Sequence, residues 1–462
     1  MKLAPTNEQQ KIIEAAKQDK NLIVKAYAGS AKTSTCVMIA EELNKYSLYC
    51  AFNKSIANEA KNKFPSTVSC RTMHSLAYGS MVMNKMRNKL QGWFQQSDID
   101  LLGYDFKNET ETKLRIIEYI KLFCQSSYLN ISMFKPAGLE LTKLELLIAH
   151  KFWKNIVCED NPTKMTHDVY LKLFQLSQPI LGYETIYLDE AQDSSEVVLD
   201  IVLQQRKYGT QIIIVGDSFQ SIYAWRGAVN ALNKLPSKEF ETLYLTKSFR
   251  FTQEIAATAT KIINYIGNDK QITGVAKEKP CKNRATIVRN NTTLLSHLLN
   301  AYNRNEKVFV LADLKSLWGK LYHIQALFFG DSPRYPDAEL KQYKTYKELL
   351  KAAETIPEIA KLIRLSELLG KNRGLTKSIN EIKSIVVKRE EDADITLTTG
   401  HKSKGLEWDE VTLTDDFLTV KEGEDAVDKL YEDQTAELIY VALTRAKYKV
   451  NLPETIEDLL LQ

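Results

Sequence analysis

Lys32 and Thr33 close the segment Ala26-Tyr27-Ala28-Gly29-Ser30-Ala31-Lys32-Thr33, which follows the strand-like run Leu22 to Ala26 and precedes a helix-like stretch. A loop in that setting turns backbone N–H groups and a helix N-terminus toward phosphate. Lys32 can reach the β- and γ-phosphates, Thr33 can hold Mg²⁺, and Ala28, Gly29, Ser30, Ala31 and Ser34 complete the cradle. Ala26 and Ala31 stand where the G-x-x-x-x-G-K-[ST] pattern has glycine. A Cβ resists positive φ, so Ala31 predicts a narrower loop or weaker nucleotide binding. A second acidic element, Asp189-Glu190-Ala191-Gln192-Asp193, follows the apolar Ile186-Tyr187-Leu188. Adjacent carboxylates at the end of a strand call for a cation. Asp189 can bind Mg²⁺ through its water shell, and Glu190 can orient, or take the proton from, water attacking a γ-phosphate. Alone, the acidic cluster reads as a solvated helix N-terminus, whereas the loop alone already favours a phosphate site over an ordinary strand-turn-helix. Their pairing favours catalysis.

The elements that must position these residues are strands alternating with helices. Runs at Leu22 to Ala26, Ser47 to Phe52 and Thr67 to Thr72, separated by helical patterns from Lys32 and from Lys54, predict βαβ units and a parallel sheet. From about Val82 to Gln178 leucines and aromatics fall at helical spacing, as in Thr112 to Phe123 and Leu139 to Val157, which predicts a helical insertion. Strand character returns at Thr185 to Asp189, Gln211 to Val215, Thr242 to Leu245, Ala285 to Val288 and Lys307 to Leu311, enough for two sheet domains. Residues 313–385 are helical and Lys/Leu-rich; strands resume at Ile395 to Thr399 and Glu410 to Thr414, before a last helix across Ala436 to Lys447. The expected division is 1–81 with 179–236, interrupted by the insertion 82–178, then 237–312 with 386–462, interrupted by the smaller insertion 313–385. Glu422 to Asp433 reads as an acidic, exposed loop.

Composition bounds the rest. At 462 residues the chain exceeds what one core organises, and 44% hydrophobic with 26% charged residues is globular. Only 18 Gly and 11 Pro exclude a collagen-like or low-complexity chain. Lys plus Arg exceed Asp plus Glu by 62 to 58, a net +4, so no global field advertises a polyanion and any nucleic-acid site must be local. Six cysteines without a C-x-x-C pair predict reduced thiols. No signal core and no membrane-length apolar run occur, so the expectation is a soluble intracellular protein, cytoplasmic or nucleoid-associated, with no membrane partner.

Further segments carry a resemblance. In order they are Pro5-Thr6-Asn7-Glu8-Gln9, Ala51-Phe52-Asn53-Lys54-Ser55-Ile56-Ala57, Cys70-Arg71-Thr72-Met73-His74-Ser75-Leu76-Ala77 and Asp189 to Asp193. Gly216-Asp217-Ser218-Phe219-Gln220-Ser221-Ile222-Tyr223-Ala224-Trp225-Arg226-Gly227-Ala228 and Lys247-Ser248-Phe249-Arg250 follow. Thr399-Gly400-His401-Lys402-Ser403-Lys404-Gly405-Leu406-Glu407-Trp408 and Tyr440 to Lys447 complete the set. Together with the phosphate loop they resemble the UvrD/Rep-like superfamily 1 DNA helicases, and look closest to the F-box DNA helicase branch, without a recognisable F-box. The two insertions carry none of these motifs.

The resemblance implies an α/β fold of two RecA-like parallel-sheet motor domains, each with a mainly helical insertion. ATP with Mg²⁺ would sit in the cleft between them and single-stranded DNA would run across their top. It implies that Gln9 reads adenine, that Phe249, where the family usually has Tyr, stacks on it, and that Glu407, beside Gly405, binds a ribose hydroxyl. Gln220 would sense the γ-phosphate, and Arg250 and Arg445 would reach the transition state as planar, permanently charged donors. Phe52, His74 and Trp225 would stack on or touch DNA, while Asn53, Thr72, Arg226, Thr399 and His401 would contact phosphates or sugars, largely without regard to base identity. Three functions follow: an ATP-dependent helicase travelling 3′ to 5′; a single-strand translocase that clears bound proteins such as recombinase filaments; and a non-catalytic DNA-binding module with a decayed phosphate loop. Single-strand/double-strand junctions and replication or recombination proteins would be the partners.

Overall fold

The computed structural model describes residues 4–82, 86–100, 102, 110–223, 230, 232, 235, 238–334, 337, 339–370, 374–420 and 423–461. The chain divides into two compact units, one ending at Thr246 and the other beginning at Lys247. Both are parallel α/β sheets flanked by helices, as the alternation of strand and helix patterns predicts.

The first unit holds six strands: β1 (Leu22–Ala26), β2 (Ser47–Cys50), β3 (Val68–Arg71), β4 (Thr185–Leu188), β5 (Gln211–Gly216) and β6 (Glu241–Leu245), in the order β3-β2-β4-β5-β1-β6. All pairings are parallel. The strands are apolar on both sides because both faces are covered, and the period of two sorts them. Leu22, Val24, Tyr49, Tyr187, Ile213 and Val215 pack with α1 (Asn7–Lys17), α2 (Lys32–Leu43) and α3 (Lys54–Lys61). Ile23, Leu48, Ile186, Ile212 and Ile214 face the other way. There they share a core with α4 (Met73–Met81) and the helices Thr110–Gln125, Lys143–Val157, His167–Leu176 and Glu196–Gln204. The helical insertion is thus built onto the sheet through a common interior.

One placement corrects the sequence reading. The strand expected at Thr242 to Leu245 in the second sheet domain, beyond the boundary at 236, is β6, and it pairs with β1 from Leu22↔Glu241 to Ala26↔Leu245. Its apolar pattern is the same whichever sheet it joins; the choice lies in a pairing with residues more than two hundred positions away.

The second unit contains a short pair, β7 (Lys247–Ser248) with β8 (Thr273–Gly274). Its main sheet comprises β9 (Arg284–Val288), β10 (Val308–Leu311), β11 (Ile395–Thr399), β12 (Trp408–Leu413) and β13 (Ala446–Asn451), in the parallel order β10-β11-β9-β12-β13. The helices Leu314–Phe328, Tyr346–Ala353, Pro357–Leu369 and Leu375–Ser384 pack through Leu317, Trp318, Leu321, Leu362 and Ile379 onto Val288, Leu397 and the helix Asn291–Asn303. The last expected helix is shorter than the pattern suggested. It spans Thr435–Leu443, and the chain re-enters the sheet at Ala446 as β13. The acidic stretch before it contains the short helix Ala426–Tyr431, its first turn capped by Asp425. Among the described residues no helix is long and apolar enough to cross a membrane.

Candidate functional site

Three neighbouring strands of the first sheet, β4, β5 and β1, end on the same edge and deliver the acidic element, the Asp217 turn and the phosphate loop. In open parallel sheets this edge is where ligands bind. Thr6, Asn53 and Thr72 each accept a first-turn N–H of α1, α3 and α4 through a side-chain oxygen. By contrast α2 begins at Ala31, which supplies no side-chain cap. Its first turn therefore keeps the N–H groups and dipole end that suit an anion. Ser30 lies 2% exposed within the same loop, its hydroxyl buried without a hydrogen-bond partner, as a phosphate-facing donor would be. Ala31 does adopt the left-handed conformation, φ 60° and ψ 41°, and Gly29 has φ 71°. The loop keeps its turn at the cost of strain on a Cβ-bearing residue, about 1–2 kcal/mol.

Asp189 and Glu190 meet Lys32 and Thr33. Thr33 Oγ1 donates to Asp189 Oδ2 at 3.4 Å, and Lys32 Nζ lies 3.5 Å from Glu190 Oε1. Asp189 is 3% exposed and also accepts from the hydroxyl of Tyr49 and, at 2.8 Å, from the Glu190 N–H. Burial and the neighbouring Glu190 push its carboxyl above the usual range, against the pull of Lys32 and Tyr49. A divalent cation reverses that balance. A hydroxyl and a carboxylate oxygen within 3.4 Å of one another are hard donors of the kind Mg²⁺ takes, so the residues present fit that ion.

Glu190, itself left-handed with φ 50°, is held on its second oxygen by Gln192 Nε2 at 2.6 Å. Gln192 Oε1 accepts the Asp217 N–H at 3.0 Å, and Asp217 Oδ2 accepts from Gln220 Nε2 at 2.7 Å. Gln220, 4% exposed, is thereby connected to Glu190 through two intermediates. A Cβ on Gly216 would come within 2.3 Å of Gln192 Oε1, so any larger residue there would displace the Gln192 amide. Tyr27 stacks on Phe219 with centroids 6.0 Å apart, joining the phosphate loop to the same turn. Sequence reading singled out neither Gln192 nor Asp217 as a site residue, although both sit inside quoted motifs. Tyr49 gave no signal, since an aromatic in a buried strand is ordinary.

Gln9 is 3% exposed and engaged at both ends of its amide. Oε1 accepts the Thr6 N–H at 2.9 Å as part of a capping box, and Nε2 donates to Thr35 on α2 at 3.0 Å. In this structure it braces the phosphate-loop helix.

A groove of ≈ 690 Å³ opens beside the ends of β2, β3 and β4, lined by Phe52, Thr72, His74 and Tyr223 on the sheet side and by Glu118, Lys121, Gln125 and Asp168 on the insertion side. Phe52 is 42% exposed and stacks on Tyr223, with centroids 6.2 Å apart and planes within 11°. Tyr223 is a second aromatic that sequence reading did not select. His74 Nε2 stands 3.7 Å from Asp168 Oδ1. Burial raises the Asp168 carboxyl, but hydrogen bonds from His74 and Gln125 hold it below the usual range. Carboxylates outnumber cations along these walls, a field unfavourable to phosphate groups. Asn53 and Thr72 act as helix caps at the rim. Trp225 and Arg226 lie outside the described residues.

In the second unit, Arg250 Nε donates to Glu407 Oε2 at 3.1 Å and Nη1 to the Thr444 carbonyl at 3.2 Å. Arg445, 2% exposed, donates to the Val441 carbonyl at 2.9 Å, to Leu406 O at 3.4 Å and to Thr444 Oγ1 at 3.3 Å. The two guanidinium groups thus converge on Thr444. Glu407 also pairs with Lys447 at 3.1 Å; burial raises its carboxyl, but Lys447 and Arg250 outweigh that and keep it low. The carboxylate expected to meet a ribose is therefore an anchor for two cations here. Phe249 is 46% exposed with Lys247 Nζ 5.6 Å from its ring centre, a surface aromatic and not part of the core. Gly405 has φ 87°, open to glycine alone without strain. Thr399 ends β11 and His401 lies in the single helical turn Gly400–Ser403.

Comparison with known proteins adds a second line of observation. Residues 9–226 match the family model described as an AAA domain, and residues 295–452 match the UvrD-like helicase C-terminal domain. The chain is 30% identical to the F-box DNA helicase 1 of Gallus gallus, over 98% of this chain and 49% of that protein. It is likewise 30% identical to the F-box DNA helicase protein 1 of Schizosaccharomyces pombe, over 98% of this chain and 58% of the relative. A probable DNA helicase II homolog of Mycoplasma genitalium is 23% identical over 58% of this chain and 40% of its own length. The chain spans about half the length of the first two.

Proposed function

The chain belongs to the UvrD-like superfamily 1 helicases, and from that premise we propose that it is an ATP-dependent DNA helicase moving 3′ to 5′ on single-stranded DNA. The observation that carries this reading is the meeting of Lys32 and Thr33 with Asp189 and Glu190 at one edge of one parallel sheet. That geometry speaks for hydrolysis and against a decayed loop, since Ala31 reaches the left-handed turn that the loop needs.

Lys32, Ser30 and the first-turn N–H groups of α2 would hold the phosphates, and Thr33 with Asp189 would hold Mg²⁺. Bound Mg²⁺-ATP supplies the electrophilic phosphoryl group. Glu190 orients water and receives its proton, its carboxylate kept in place by Lys32 and Gln192. Gln220 reports the state of that site through Asp217 and Gln192. Arg250 and Arg445 serve as charge-stabilising donors to the transferring phosphoryl group, with Phe249 against adenine; Arg250 leaves or shares Glu407 to do so. Phe52 and Tyr223 give a stacking face for bases, with Thr72, His74, Thr399 and His401 as further contacts to the strand.

The test is strand displacement on partial duplexes with a 3′ or a 5′ single-stranded tail. ATP-dependent unwinding of the 3′-tailed substrate is expected. Unwinding of the 5′-tailed one alone overturns the polarity. Single-strand-stimulated hydrolysis without displacement, coupled to removal of a recombinase filament, would establish the protein-clearing translocase in its place.

A further inference from the structure

We infer that Tyr49 is a positioning residue for Asp189, fixing that carboxylate for a divalent cation. The inference rests on the nucleotide-hydrolysis reading above and deepens it.

Tyr49 lies in β2, in register with Tyr187 of β4, and Asp189 follows Tyr187 by two residues. The pleat puts side chains two apart on the same face, so the strand pairing itself brings the phenol of one strand to the carboxylate of the next. The backbone supports it: the Asp189 N–H donates to the Cys50 carbonyl at 3.2 Å. Tyr49 is 0% exposed, and its ring packs against Phe64 with centroids 4.6 Å apart, so its direction is set by the interior.

Its hydroxyl donates to Asp189 Oδ2, the same oxygen that Thr33 reaches at 3.4 Å, while Oδ1 takes the Glu190 N–H at 2.8 Å. The two side-chain donors differ in kind. Thr33 stands in the first turn of α2 and is the group expected to face the cation, so its hydroxyl has a second task. Tyr49 comes from the strand behind, where its hydroxyl meets both Asp189 and Thr33 and is backed by the interior. A phenol is neutral and protonated at pH 7, hence a steady donor. A carboxylate this deeply buried needs such a donor to hold a fixed orientation, and residues that orient metal ligands change affinity when lost.

Tyr49→Phe deletes the hydroxyl and keeps the ring on Phe64. Two titrations decide the matter: a fluorescent ADP analogue in EDTA, and Mn²⁺ followed by electron paramagnetic resonance with ADP present. The expected result is Mn²⁺ affinity weakened by about tenfold or more with metal-free ADP affinity unchanged. Mn²⁺ affinity within about twofold of wild type overturns the inference, because loss of an outer partner costs more than that. Loss of ADP binding in EDTA also overturns it, since Tyr49 would then support the fold of the whole loop. Failure of the wild-type chain to bind ADP with or without Mn²⁺ sinks the hydrolysis reading first; normal wild-type binding with an indifferent Tyr49→Phe sinks this inference alone.

Discussion

Gln192 donates its side-chain amide to Glu190 at 2.6 Å and with the other end of the same amide accepts the Asp217 N–H at 3.0 Å. One rigid group thus ties the general-base candidate in the turn after β4 to the turn after β5 that carries Gln220. A hydrogen bond to a charged partner contributes about 1.5–3 kcal/mol. Gln192→Leu should lower kcat for ATP hydrolysis roughly 10- to 100-fold while leaving ADP affinity intact. A variant with unchanged kcat would show that Glu190 is oriented without this link.

Ala31 occupies the left-handed region at φ 60°. Its penalty of about 1–2 kcal/mol is partly offset by the lower unfolded-state entropy of alanine, so Ala31→Gly should stabilise the first unit by up to about 1 kcal/mol. Thermal melting without nucleotide should rise by about 2 °C, and Ala31→Val should fall. A lower melting temperature for the glycine variant would mean that the strain is absent.

The Phe52–Tyr223 stack predicts a loss confined to DNA binding. Phe52→Ala should weaken affinity for single-stranded DNA by about 1–3 kcal/mol, with hydrolysis in the absence of DNA unaltered. Fluorescence anisotropy on a labelled oligonucleotide at fixed salt reads the first, and phosphate release the second. Unchanged DNA affinity would place the strand elsewhere.

Lys172 gives the insertion one alkaline pH dependence. It is 0% exposed, donates to Ser126 O at 2.9 Å, Tyr128 O and Gln175 Oε1 at 2.7 Å, and sits 4.3 Å from the centre of the Phe123 ring. Burial lowers its pKa from 10.5 to about 8. Between those values the unfolded chain binds more protons at this residue than the folded one, so stability rises with pH. From pH 7 to 9 the wild type should gain about 1 kcal/mol relative to Lys172→Met, seen as a change in their melting-temperature difference. A constant difference would contradict a depressed lysine.

Much of the fold is legible in the sequence because the alternation of apolar runs with helical spacing is local. Leu22 to Ala26 followed by the phosphate loop, and Ile186 to Leu188 followed by Asp189-Glu190, announce both strand ends and their chemistry within a few residues each. What stays hidden is non-local. β6 could not be assigned to the first sheet from its own residues, since only its register with β1 decides it. Ala446 and Lys447, the first residues of β13, looked like the tail of a helix because their motif crosses the junction at Thr444. The engagement of Gln9 with Thr35, of Glu407 with Arg250 and Lys447, and of Tyr49 with Asp189 depends on partners 26 to 157 positions away. Residue type announces such side chains as polar or apolar, but folding chooses their partners.

Hydrolysis of ATP by the purified chain, measured at fixed Mg²⁺ with and without single-stranded DNA, tests the motor most directly. The predicted result is a rate that rises several-fold on adding the strand and is abolished in both conditions by Lys32→Ala. A rate indifferent to DNA, or one that survives Lys32→Ala, would contradict it.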